Sequence, residues 1–182
     1  MKWLALLVLL GALGTIPLGM FYVGEIREAR RLTDANQLPD YYANAIQHSH
    51  AAASAYRGLR VLLPPDAAEH AVLTLGLMNE WFERAFRPHD HTLEMMKDFY
   101  NNQAGIMVGR ALEEQEGADR HAAGELLVRM ARDRKLILKP EELAVDNQRA
   151  LLASADVAGA WQWFRREREH IRHTTAQYLQ HQ

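Results

Sequence analysis

The stretch Thr92 to Gly105, TLEMMKDFYNNQAG, sets polar and charged side chains into an otherwise apolar segment, and its reading decides the fold. At helical spacing Glu94, Asp98, Asn101, Asn102 and Gly105 fall at i, i+4, i+7, i+8 and i+11, one continuous stripe, flanked by Leu93, Met96, Phe99 and Tyr100. An amphipathic surface helix would place such groups in water. Here apolar residues on both sides of the stripe predict a polar network that is buried or lines a cleft, in a helix running from an N-cap at Thr92 to about Gly117.

Outward from that helix the same period recurs. Residues 41–63 carry Tyr42, Ala45, Ile46, Ala52, Ala53, Tyr56, Leu59, Leu62 and Leu63 at helical spacing, with Asp40 as cap and Pro64-Pro65 as terminator. The alanines predict close approach of a neighbouring helix. The next segment, from Pro65, has Val72, Leu75, Leu77, Met78, Trp81 and Phe82 on nearly every face and reads as a central helix. Downstream, helices are expected at about 118–132 and 140–152, joined by the extended link KLIL. A last helix is expected from a cap at Ser154 or Asp156, with Trp161, Phe164 and Ile171 facing inward. No strand-like alternation, repeat or low-complexity tract occurs. The fold class is all-α: one N-terminal transmembrane or signal-anchor helix followed by an orthogonal bundle of about five helices.

The chain has 182 residues, 48% hydrophobic and 24% charged, enough for one ordinary core. A net charge of −2 and a pI near 6.5 provide no field for phosphate backbones, so no nucleic-acid partner is expected. The absence of cysteine excludes disulfides, thiolate metal sites and cysteine nucleophiles.

At the N-terminus, Trp3 to Val23 is uncharged and about as long as a bilayer core of roughly 30 Å requires. The best cleavage site, Ala12-Leu13-Gly14, is poor, which favours an uncleaved signal anchor over a signal peptide. The expected organisation is a membrane anchor at 1–23, a juxtamembrane helix and linker at 24–39, and a helical domain at 40–182. Lys and Arg counts around the span put its C-terminal side in the cytoplasm, whereas a single N-terminal span before a sizeable domain is the plan of an exported protein. The localisation adopted is a single pass of the bacterial inner membrane, the domain periplasmic and the membrane bound through residues 3–23.

Three helices each place polar residues on an apolar face: Asn44 and His48; Asn79 and Glu80; Glu94, Lys97, Asp98, Asn101 and Asn102. These form the expected polar cluster, with His48, Glu80 and Asp98 as catalytic candidates if the cluster is a site and not fold glue. Metal and cofactor are expected to be absent; His89, Asp90 and His91 are weak ligand candidates, in a loop. His50, two residues from His48, should face elsewhere. There is no nucleophile elbow or phosphate-binding glycine loop.

The ordered set Asn44-Ala45-x-x-His48, Asn79-Glu80 and Met96-Lys97-Asp98-Phe99-Tyr100-Asn101-Asn102-x-x-Gly105 resembles an uncharacterised all-helical bacterial domain. That domain occurs as the C-terminal tail of RHS-repeat polymorphic toxins and in stand-alone exported proteins. The similarity spans about Asn44 to Arg110, and its last block is the distinctive one. Gln47 stands where that family has Arg, and Asn79 where it has the His of a His-Glu pair. The resemblance implies a helical fold, export and an envelope or interbacterial setting. Two functions follow as expectations: a membrane-anchored interaction or structural module with a possible protein partner, or a small toxin-like effector or hydrolase using a His/Glu/Asp cleft.

Overall fold

The computed structural model describes residues 21, 23–86, 91–113 and 120–182. Among them all regular structure is helical: a segment over 23–35 (α1), α2 (Tyr41–Arg60), α3 (Pro65–Phe86), α4 (Thr92–Glu113), α5 (Arg120–Arg132), a 3-10 turn (Pro140–Glu142), α6 (Gln148–Leu152) and α7 (Val157–Leu179). None of these helices is long and apolar enough to cross a membrane. The apolar run from Trp3 lies outside the described residues except for Phe21 and Val23.

The central helix is α4, not α3. It packs most extensively against α2 and α7 and is buried on all sides, because its two flanks serve two apolar clusters. Ala104, Val108 and Leu112 join α1, α2, α5 and the KLIL link in one; Leu93, Met96, Phe99 and Ile106 join Tyr56, Val72, Leu73, Phe164 and Ile171 in the other. Helix α3 buries Val72 and Leu73 but leaves Met78 49%, Trp81 51% and Phe82 61% exposed. Its all-round hydrophobicity is a half-buried helix with an apolar outer face.

The alanines of α2 do mark a close crossing. A Cβ on Gly105 would lie 2.0 Å from the Ser49 carbonyl oxygen, and one on Gly109 would lie 3.0 Å from that of Ala53. Without side chains at these two positions, α4 rests directly on the α2 backbone.

Residues 24–39, read from the sequence as a juxtamembrane helix and linker, contribute to the core. Ala29 and Leu32 belong to the first cluster, and the buried Glu25 carboxylate bonds the buried His50 ring. Several boundaries also differ. The side chain of Asp40 makes no cap bond, and α2 ends at Arg60. Thr92 is no cap either: its hydroxyl donates to the Ser154 carbonyl and accepts from the Asp156 amide, tying α4 to the start of α7. The His91 ring accepts the Glu94 amide instead. The expected helix over 140–152 is interrupted, with Asn147 left-handed at φ 57° before α6. Asp156 caps α7 through the Gly159 amide, and Phe164 and Ile171 face inward as the sequence suggested.

Candidate functional site

Helices α2, α3 and α4 converge on three buried side chains, one from each: His48, Glu80 and Asp98. One ligating atom from each lies within 4.8 Å of those from the other two. His48 Nε2 stands 3.6 Å from Asp98 Oδ2, too far for a hydrogen bond. Asp98 Oδ1 faces Lys97 Nζ at 3.5 Å and accepts no hydrogen bond. The buried Lys97 ammonium is fixed from the other side: it donates to Asn44 Oδ1 at 2.7 Å and pairs with Glu94.

Electrostatics follow from this arrangement. Burial pushes the Asp98 carboxyl up; the charges of His48 and Lys97 oppose the rise, those of Glu94 and Glu83 add to it, and the net shift is upward. Burial alone would lower the Lys97 ammonium, but the carboxylates of Asp98 and Glu94 outweigh it and hold its pKa above the ordinary value. The result is a desolvated carboxyl beside an imidazole, with a fixed cation on its far side.

Two cavities meet at this cluster, with Gln47 and His48 as the wall they share. One, of about 400 Å³, is an apolar groove between α2 and α3, walled by Ala51, Ala55, Leu75, Met78 and Phe82, with Gln47, His48, Asn79 and Asn102 as its polar lining. Phe21 forms one edge of this groove. The other, of about 610 Å³, is a polar cleft against α1, lined by Arg30, Asp34, Asp40, Asn44 and Glu83.

The expected polar cluster is thus divided. His48, Glu80, Lys97, Asp98, Asn44 and Glu94 come together, whereas Asn101 turns to the opposite flank. Its amide donates to the Ile137 carbonyl at 2.8 Å and accepts the Ile137 amide at 3.0 Å, replacing a strand partner for the KLIL link. Asn102 faces the groove beside Gly76, and Asn79 bonds Glu83 one turn on, 3.0 Å away. His50 faces α1, as expected from its spacing. Of the loop candidates, His89 and Asp90 lie outside the described residues, and His91 accepts the bond from Glu94.

A second buried cluster escaped the sequence reading. Glu69 of α3 receives Arg168 Nη2 at 2.7 Å and Gln103 Nε2 at 3.0 Å, with Arg110 at 3.7 Å and Arg172 at 3.8 Å. Burial pushes the Glu69 carboxyl up, but the bonds from Arg168 and Gln103 and the charges of Arg168 and Arg172 overcome it and hold the pKa below its usual value. The pair Arg168 and Arg172, one turn apart in an apolar-faced helix, was the available signal. Its partner on α3 was not legible.

No protein-family model, curated protein or solved structure matches the chain.

Proposed function

We propose that this chain is a membrane-anchored helical module of the bacterial envelope that holds an amphiphile beside the bilayer. In this reading residues 3–23 form the anchor, and the domain lies on the periplasmic side. The apolar groove takes the acyl chain, and His48 and Asn102 receive the polar end. The carrying observation is the groove itself: apolar walls, a polar lining, and Phe21, from the end of the apolar N-terminal run, on its edge. Exposed Met78, Trp81 and Phe82 extend that apolar surface outward, and an aromatic residue beside Arg84 suits a membrane–water interface.

The test is photocrosslinking of the full-length protein in phospholipid vesicles carrying a diazirine-labelled acyl chain. Labelled peptides should come from α2 and α3, within residues 47–82, and Met78→Asp should remove them. Labelling confined to residues 3–20 would refute the reading.

A second reading is favoured by one feature, the buried Asp98 carboxyl beside the His48 imidazole. A carboxyl titrating above its ordinary value next to an imidazole suits general acid–base hydrolysis, the chemistry of a toxin-like effector. It requires that export of the protein into a sensitive periplasm arrest growth, and that His48→Ala, folded and anchored, abolish the arrest.

A further inference from the structure

We propose that His48, Glu80 and Asp98 bind a divalent first-row transition cation, of the Mn²⁺ or Zn²⁺ class, at the junction of α2, α3 and α4. Ligands on a tetrahedral ion, each about 2.0–2.1 Å from it, stand about 3.4 Å apart. The His48 Nε2 to Asp98 Oδ2 separation of 3.6 Å has that spacing, and Glu80 completes the face with its ligating atom inside the same 4.8 Å limit.

Two further observations bear on the site. Asp98 Oδ1 is buried and accepts no hydrogen bond; the Lys97 ammonium faces it at 3.5 Å. Lys97 is turned toward Oδ1 and held there by Asn44 and Glu94, which leaves Oδ2 on the His48 side. The route in is the polar cleft, whose lining among the described residues carries Asp34, Asp40 and Glu83 against Arg30 and reaches His48. One imidazole and two carboxylates, with the remaining coordination positions for water or ligand, suit Mn²⁺ or Zn²⁺ better than the all-oxygen shells of Ca²⁺. Water or the polar end of a bound molecule would take those positions. The inference rests on the cluster and the cleft and does not depend on what occupies the apolar groove.

The experiment is isothermal titration of the full-length protein in detergent micelles, stripped with a chelator, using MnCl₂ and ZnCl₂ separately. One equivalent per chain is expected. Asp98→Asn and Glu80→Gln, which preserve shape, should each weaken binding at least tenfold, while His91→Ala should leave it unchanged. No stoichiometric binding of either ion, or binding unchanged in both amide variants, overturns the site. Should an amide variant fail to fold, Mn²⁺ broadening of amide resonances in the wild-type protein decides. Signal loss centred on the His48, Glu80 and Asp98 amides supports the site, and loss centred elsewhere refutes it.

Discussion

Replacing Gly105 by Ala tests the α2–α4 crossing, on which the geometry of the cluster depends. The added methyl would sit 2.0 Å from the Ser49 carbonyl oxygen and 2.7 Å from Ser49 Cα, against backbone atoms that no rotamer change can move. Real Cβ atoms essentially never approach closer than 3.0 Å, so the two helices must separate by about 1 Å along their contact. Overpacking of that kind costs about 1–3 kcal/mol and more where the obstacle is backbone. Against it stands the gain of about 1 kcal/mol for Ala over Gly inside a helix. The net is a loss of about 2 kcal/mol, a fall in Tm of about 4–8 °C for a domain of this size. Gly58, also within α2, has nothing within 4 Å of its would-be Cβ, so Gly58→Ala keeps the propensity gain and should raise Tm by about 2–4 °C. Thermal melts followed by circular dichroism in one detergent give both signs in a single comparison. A Gly105→Ala protein as stable as wild type would show that α2 and α4 do not cross as closely as described.

The remaining polar contacts give two further outcomes. Asn101→Ala strands the amide and carbonyl of Ile137 and should cost about 2–3 kcal/mol, read as faster hydrogen exchange of the Ile137 amide with the α4 amides still protected. For Glu69 the folded carboxyl titrates below its unfolded value of about 4.3, so its stabilisation is complete above that pH and disappears as the pH falls through the folded value. Glu69→Gln should therefore destabilise by about 3 kcal/mol at pH 7, with the gap to wild type narrowing below about pH 4; a gap constant with pH would contradict the assignment.

Local pattern was legible where it is self-contained. The period of α2 and α7, with their alanines and inward aromatics, follows from spacing within one helix, and the structure repeats it. What a helix faces was less so. Leu75, Met78, Trp81 and Phe82 read as core because hydropathy does not distinguish a protein interior from a groove or a lipid face. Asn101 and Asn102 shared one stripe on paper, yet neighbouring positions on a helix are some 100° apart. One serves the backbone of the KLIL link, and the other serves the groove. Pairings across many residues, Glu25 with His50 and Glu69 with Arg168, cannot be read from spacing within one helix, even where one side, Arg168 and Arg172, is visible.

The Glu25–His50 pair also bears on where the domain begins. Starting the chain at Asp40 follows the sequence punctuation, but it removes the carboxylate facing a fully buried imidazole, the core residues Ala29 and Leu32, and the Arg30 and Asp34 wall of the polar cleft. Breaking a buried pair costs about 3–5 kcal/mol. Losing the burial of Leu32 adds about 1.5–3 kcal/mol. Together these approach the 5–15 kcal/mol that holds a typical domain together. A protein spanning 40–182 should melt without a cooperative transition, whereas one spanning 21–182 should melt sharply, and calorimetry of the two distinguishes them. Equal transitions would mean that α1 is dispensable. In the described arrangement it is not, because the turn of α2 that aims His48 at Asp98 is the turn that fastens His50 to α1. The segment leading from the apolar N-terminal run is then a wall of the site itself.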